Sequence, residues 1–369
     1  MLMRRCSTRV IFASEPRAAR GVTIRCHEPR RESPAVSVLM SARDASATID
    51  ECLNSIAAQT MENFELVVVD DGSKDDTADR LDAFARRDLR LRLLKRDRRG
   101  LVAALNEGLA ACRAPLVARM DADDRMHPQR LARQRDYLQA HPGIDVVGSR
   151  VRAFPEEKLG AGMREYLRWQ NRTLSPESIA ADIYVESPLA QPSATFRTQT
   201  VKDIGAYREG DFPEDYELWL RLISAGRRIG KCAQTLLEWR QREDSYSRTD
   251  PRFSRQAFDR LRARYLASDP RLHRARDLAI WGAGRVTRKR CRHLLERGHS
   301  PCVWVDIDGR KIGGSVDGVP VVSPDWLAAR GTRRPLVLVY VAAHGARDAV
   351  AARLETMDFE RGRDYLIVG

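Results

Sequence analysis

The sequence predicts an α/β protein with a mostly parallel sheet covered by helices on both faces, followed by a smaller unit of the same kind. Three observations carry this prediction. Between residues 36 and 121, apolar runs of strand length alternate four times with segments of helical periodicity. Three of those runs end in clusters of Ser, Asp and Gly. A second alternation begins at Asp277, after a long arginine-rich stretch.

Val36-Ser37-Val38-Leu39-Met40 reads as a buried strand. Ala47–Thr60 reads as a helix, with Ile49, Leu53 and Ile56 at helical spacing. Phe64–Val69 is a second strand and runs into Asp70-Asp71-Gly72-Ser73. Asp75–Arg87 is a helix with Leu81, Phe84 and Ala85 inward; Leu91–Lys95 is a third strand and Gly100–Ala111 a third helix. Leu116–Met120 is a fourth strand, ending at Asp121. Such alternation with short connections predicts parallel pairing with both faces covered. After Arg150 the pattern weakens. Glu156–Arg172 reads as a helix, residues 173–210 as loops, Glu214–Ala225 as a helix with Leu218, Leu222 and Ile223 inward, and Ala233–Arg240 as a strand. Asp250–Leu272 is an arginine-rich helical bridge. Then follow a strand at Leu278–Trp281, the turn Gly282-Ala283-Gly284, a helix through Leu295, strands at Cys302–Asp306 and Leu336–Val341, and a helix at Asp348–Thr356. The expected domains are a disordered basic tail over 1–33, a main α/β domain over 34–250, a helical linker over 251–276 and a small Rossmann-like domain over 277–369. The last is too short for a full dinucleotide domain.

A chain of 369 residues fits two or three domains. With 43% hydrophobic residues, a wholly disordered chain is excluded. No apolar run approaches the ~18 residues of a membrane-spanning helix. The net charge is +13, and 57 of the 64 basic residues are arginine. They are scattered and interleaved with acids, whereas a nucleic-acid binder clusters basic and aromatic residues on one element. No nucleic-acid partner is therefore expected. The excess suits phosphates, nucleotides or an anionic membrane surface, or reflects base composition alone. Seven cysteines at irregular spacing, with no CxxC, predict neither a disulfide framework nor a zinc site, but reduced thiols in a cytoplasm.

In parallel sheets, ligands bind beyond the carboxyl ends of the strands. Ser41–Asp44, Asp70–Ser73 and Asp121–Asp124 all fall there. Each alone is an ordinary turn, since Ser, Asp and Gly are good turn and cap residues; their convergence is the informative feature. In Asp121-Ala122-Asp123-Asp124, carboxylates one residue apart can share a crevice. A hard cation there keeps positions open for phosphate oxygens. The local alternative is an acidic turn before a helix at Pro128–Gln139. Asp215, in the first turn of a helix, is placed either to accept a proton or simply to complement the helix dipole. Arg119 is a buried counter-charge or a phosphate contact. Arg240, Arg242 and Arg248 are phosphate candidates or solvated arginines, and His127 a metal ligand or a helix-entry residue.

Taken in order, Val36–Met40 with Ser41-Ala42-Arg43, Val67-Val68-Val69-Asp70-Asp71-Gly72-Ser73 with Asp75-Asp76-Thr77, Asn106-Glu107-Gly108 and Ala118-Arg119-Met120-Asp121-Ala122-Asp123-Asp124 resemble the family-2 glycosyltransferases of the GT-A fold. The resemblance continues through Gln191-Pro192-Ser193, Glu214-Asp215-Tyr216-Glu217-Leu218-Trp219 and Ser245-Tyr246-Ser247-Arg248, about residues 34–250. It implies transfer of a sugar, with inversion, from a nucleotide-diphosphate donor to a sugar or lipid-linked acceptor. It implies Mn²⁺ or Mg²⁺ held by Asp123 with Asp121. It further implies donor contacts from Ser41, Ala42, Arg43, Asp70, Asp71 and Asp121, and Asp215 as the base. Ser41-Ala42-Arg43 departs from the Tyr-Asn common in relatives, and the Gln-x-x-Arg-Trp motif of processive synthases is missing, so single-sugar transfer is expected. The implied setting is bacterial surface polysaccharide or O-antigen synthesis, in the cytoplasm with peripheral association at the inner membrane. The alternative is a non-catalytic nucleotide-sugar sensor. In the C-terminal unit, Gly282, Gly284 and Asp306 form a candidate second nucleotide site: a glycine loop opening a helix, and an acid at the next strand end.

Overall fold

A computed structural model describes residues 33–242, 245–274, 277–331, 333–341 and 345–369. Apart from Ser33, the expected disordered tail lies outside them, as do Cys6 and Cys26.

The first four strands are β1 (Val36–Ala42), β2 (Phe64–Asp71), β3 (Leu91–Arg96) and β4 (Leu116–Asp121). They pair in parallel, β3-β2-β1-β4. Side chains alternate across a strand. Leu39, Val67 and Val117 enter one core, whereas Val38, Met40, Val68 and Met120 enter another beneath the helix Ile49–Ala57. Both faces are buried, so the strands read as continuous apolar runs.

The sheet continues through β5 (Arg125–Met126), β6 (Val146–Phe154), β7 (Thr195–Arg197) and β8 (Ile229–Arg240) in the order β4-β7-β6-β8-β5. β6 and β8 are parallel; β7 runs antiparallel between β4 and β6, and β5 antiparallel to β8. The weakening pattern after Arg150 therefore conceals sheet. Residues 173–210, expected as loops, hold β7 and the helices Pro176–Asp182 and Thr198–Asp203. The arginine-rich bridge is broken into helices Arg255–Leu266 and Pro270–Arg274. The Ser254 side chain caps the first by accepting from the Ala257 N–H.

The second sheet has six strands, three more than the sequence suggests. They are β9 (Leu278–Trp281), β10 (Val303–Val305), β11 (Ser315–Val316), β12 (Val319–Val322), β13 (Leu336–Val339) and β14 (Tyr365–Ile367). Their order is β11-β12-β10-β9-β13-β14, parallel except for the β11–β12 hairpin. Trp169 and Val185 pack into this sheet's core, while Leu261 and Leu266 share a core with both Trp219 and Leu338. Residues 33–369 consequently form one compact unit. Among the described residues, no helix is long and apolar enough to cross a membrane.

Gly108 shows how tightly the helix Leu101–Ala111 sits on the sheet. A Cβ there would lie 2.3 Å from Leu39 Cδ1 and 3.1 Å from Val69 Cγ2. Gly108→Val should lower unfolding stability by about 2 kcal/mol through overpacking. Urea denaturation with an unchanged m-value is the check; undiminished stability would show that the helix has room to move away.

Candidate functional site

Parallel pairing sets Ser41 opposite Asp121 and Ala42 opposite Asp70. The predicted clusters on β1, β2 and β4 are thus neighbours on one sheet edge. The two-residue period puts Ser41, Asp71, Arg119 and Asp121 on the face that carries the helix Leu101–Ala111, and Asp70 on the opposite face.

Hydrogen bonds lace the loops at this edge together. Asp71 accepts from the Arg99 N–H at 2.7 Å and the Gly100 N–H at 2.9 Å. Asp70 accepts from the Ser73 N–H at 3.2 Å and from its hydroxyl. Gly72 has φ +71°, and a Cβ there would lie 2.8 Å from the Arg98 nitrogen, so glycine is required. Asp44 accepts from the Lys74 N–H at 2.8 Å and pairs with Arg43 at 3.5 Å. Asp75 accepts from the Ser46 N–H at 3.0 Å, fixing the loop after β1 against that after β2. Ser41 and Arg43 are half-buried; Ala42, Asp70 and Asp71 are buried.

Beneath the acidic turn lie two fully buried guanidiniums, Arg119 and Arg130. Arg119 Nη2 pairs with Asp121 Oδ1 at 2.5 Å and donates to Gln191 Oε1 at 3.3 Å. Arg130 Nη2 donates to the Arg119 carbonyl at 2.8 Å. Arg119 is thus the counter-charge that was one of its two readings. Asp124 is buried; its Oδ1 accepts from the Arg240 N–H at 2.7 Å, while Oδ2 has no hydrogen-bond partner. Burial, then the charge of Asp121, pushes Asp123 up to about 6. Burial, then Asp123 and Asp121, raises Asp124 well above the carboxylate range. Crowded carboxylates with an orphaned buried oxygen fit a hard divalent cation. Among the described residues, no three His, Cys, Asp or Glu side chains form a metal cage. One or two carboxylates with open positions suit Mg²⁺ or Mn²⁺ shared with phosphate.

The helix Glu214–Ser224 starts with three acids in different states. Glu217 is fully buried and committed: it pairs with Arg221 at 2.8 Å and accepts from the Tyr265 hydroxyl at 2.6 Å. Glu214 is buried with Oε2 unpartnered, and burial together with Asp215 pushes it up to about 8. Asp215 is half-buried; burial, helped by the charges of Glu186 and Asp121, pushes it to about 6. The charges of Asp121 and Arg119 are felt at Asp215 and Glu214 respectively, so the helix start lies beside the sheet edge. Glu186, Gln191 and Tyr207 also reach this cluster, although the sequence reading assigned them no role. Only Gln191 had a signal, in Gln191-Pro192-Ser193; the others lie in turns or loops without periodicity.

Arg240 closes the turn from outside. Its Nε donates to the Asp123 carbonyl at 2.7 Å, and its guanidinium also meets Glu51 and stacks over Phe154. Arg248 is exposed. His127 is exposed, and its Nδ1 accepts from the Gln129 N–H at 3.2 Å, which is the helix-entry arrangement.

In the second sheet, Gly282 has φ +108° and precedes a loop whose Ala283 N–H donates to Asp306 Oδ2 at 2.8 Å. Asp306 also accepts from the Asp308 N–H at 2.9 Å and pairs with Lys311 at 3.0 Å. A Cβ on Gly284 would lie 3.9 Å from Lys311 Nζ. The three residues are brought together, with the carboxylate already bonded to the loop.

The family model for glycosyl transferase family 2 matches residues 37–205. The amylovoran biosynthesis glycosyltransferase AmsE of Erwinia amylovora is 31% identical over 214 residues, covering 56% of this chain and 77% of that protein. The O-antigen biosynthesis glycosyltransferase WbnJ of Escherichia coli is 28% identical over 190 residues, 51% of this chain and 72% of its own. The crystal structure of S. aureus TarS 1-349 with UDP-GlcNAc superposes with TM-score 0.51 at 20% identity, covering 64% of this chain and 67% of that one; this likeness concerns the fold. By motif order, sheet-edge geometry and these matches, the chain belongs to glycosyl transferase family 2, with the GT-A fold.

Proposed function

We propose that this glycosyltransferase moves one sugar from a nucleotide-diphosphate donor to an acceptor hydroxyl with inversion, assisted by Mn²⁺ or Mg²⁺. The acceptor is a sugar or a lipid-linked glycan, and the setting is the cytoplasmic assembly of a bacterial surface polysaccharide or O-antigen, as the names of AmsE and WbnJ suggest. Residues 34–250 carry the transfer, 251–276 connect, and 277–369 form the Rossmann-like unit. The observation that carries the reading is the register that sets the Ser41, Asp70 and Asp121 clusters side by side on one sheet edge.

Ser41, Ala42, Arg43 and Asp70 receive the nucleoside, and Asp71 acts by holding the 99–100 loop in place. Asp123 and Asp121 would hold the cation, and Arg119 fixes the Asp121 carboxylate. The bound cation supplies Lewis-acid neutralisation of the diphosphate. Asp215 accepts the acceptor hydroxyl proton as its oxygen bonds to the anomeric carbon. The bond to the donor phosphate breaks at the same time, and the nucleoside diphosphate departs with the electron pair. A carboxylate held near 6 is ionised at neutral pH and more basic than an ordinary aspartate. Glu214 stays protonated to about 8 and Glu217 is locked in its ion pair, so Asp215 is the available base among the three. Gly282, Gly284 and Asp306 take no part in this step; the Ala283 N–H that could meet a phosphate is bonded to Asp306.

Release of nucleoside diphosphate from a panel of nucleotide sugars, with Mn²⁺, Mg²⁺ or chelator, tests the reading. One donor should be hydrolysed slowly. Asp215→Asn should cut turnover by about a hundred- to ten-thousand-fold while leaving donor affinity near wild type. Asp123→Ala and chelator should abolish turnover. Unimpaired turnover in Asp215→Asn would remove the base.

The sign of the pH dependence follows from the raised Asp215. Protonation disables the base, so kcat should fall as pH drops through about 6 and level off above it. Glu214→Gln should keep both the turnover and this acid limb, because it replaces a carboxyl that already holds its proton below about 8. An acid limb that moves in Glu214→Gln would transfer the proton-accepting role to Glu214.

A further inference from the structure

The helices Arg255–Leu266 and Arg285–Leu295 pack side by side and enclose a cavity of about 470 Å³. Its walls carry five basic side chains, Arg255, Arg285, Lys289, Arg290 and Arg292, against one acid, Asp259. Arg285, Lys289 and Arg292 follow the spacing of a single helix face, and their helix contains no acid. None of Gly282, Gly284 and Asp306 lines the cavity, so it is separate from the glycine loop.

The one acid is already engaged. Asp259 Oδ1 accepts from Arg262 Nη1 at 3.1 Å and lies 3.5 Å from Arg290 Nε. Arg290 is buried. Its Nη1 donates to the Gly369 carbonyl at 3.2 Å, while its Nε has no hydrogen-bond partner. Burial, opposed by Asp259 and reinforced by the charges of Arg262, Arg347 and Arg255, holds Arg290 below the usual arginine range. Arg292 pairs with Glu296. Arg255, Arg285 and Lys289 are exposed and form no ion pair among the described residues. Three unpaired cations and a buried guanidinium with an unpartnered donor leave the cavity short of at least two negative charges.

Water satisfies the exposed cations but not the Arg290 Nε, since a buried donor costs free energy unless it is bonded. A flat anionic surface meets the exposed cations and does not reach Arg290. A second copy of the chain would bring the same positive charge, and residues 1–32 carry eight arginines against three glutamates. The volume is that of a small-molecule site, and arginine forks match phosphate oxygens bidentately. We propose that this cavity binds a soluble phosphorylated small molecule with at least two negative charges, held between Arg290 and the cations Arg255, Arg285 and Lys289. This goes beyond the sugar-transfer reading and stands without it.

Titration calorimetry of the full chain with inorganic pyrophosphate, in chelator and without added divalent cation, tests the proposal. Saturable binding is expected, with a raised thermal transition because the ligand joins two helices only in the folded chain. Arg285→Ser with Lys289→Ser should weaken binding about thirty-fold. Arg290→Lys, which keeps the charge and loses the fork, should weaken it about ten-fold. Arg288→Ser is the control: Arg288 is exposed and unpaired on the same helix but does not line the cavity, so affinity should stay near wild type. The serine variants should keep the ligand-free thermal transition, since the changed side chains are exposed. Absence of saturable binding would overturn the proposal. So would binding that Arg285→Ser with Lys289→Ser leaves intact, which would place the anion elsewhere, or unchanged affinity in folded Arg290→Lys. An equal loss in Arg288→Ser would also overturn it, as the mark of diffuse attraction to a basic face.

Discussion

Two guanidiniums buried beneath a crowded acidic edge set the terms for the rest of this molecule. Arg119 and Arg130 are fully buried under the turn Asp121–Asp124, and Arg130 donates to the carbonyl of Arg119 itself. Without counter-charge, carboxylates so close to a sheet core would be neutralised by protonation or would open the turn. Arg119 ties Asp121 from below, and Arg240 pins Asp123 and Asp124 from outside through its side chain and its own N–H. The compensation is incomplete. Asp123 and Asp124 remain raised, and Asp124 keeps an oxygen without a partner. An edge left short of positive charge is one that the proposed divalent cation would complete.

The same shortage reaches the helix Glu214–Ser224. Three acids share its first turn, and packing sends each to a different end. Glu217 is held by Arg221 and Tyr265, Glu214 is buried enough to keep its proton, and half-buried Asp215 is raised only to about 6, the range the proposed base requires. One turn of helix thus separates a structural carboxylate from a neutral one and an available one. The loops that frame the cleft are held mainly by aspartates accepting backbone N–H groups, as at Asp71 and Asp75. The conspicuous acid motifs at these strand ends therefore shape the cleft as well as line it.

What could be read from the sequence follows from burial. β1, β2 and β4 are covered on both faces, and such strands announce themselves as unbroken apolar runs. β6 does not: Ser149, Arg150 and Arg152 interrupt it, and its later residues alternate between buried and exposed positions. β11 and β14 are two and three residues long, too short for any period to show. At the site, the clusters on strand ends were legible because they lie close to each strand in sequence. The places of Glu186, Tyr207 and Arg240 depend on long-range packing. Arg240 meets Asp124 only because β8 runs the length of β6 and returns to the edge. The arginine excess was visible as a total, but the partition between buried ties such as Arg119 and exposed arginines such as Arg285 and Arg288 was not.

The central claim is that Asp215 takes the acceptor proton from the side opposite the departing diphosphate. The anomeric configuration of the transferred sugar tests it most directly, read by proton NMR on the product of one turnover with the active donor. Inversion relative to the donor is the predicted result. Retention would contradict a direct displacement with Asp215 as base, and the cleft would then need a different chemistry.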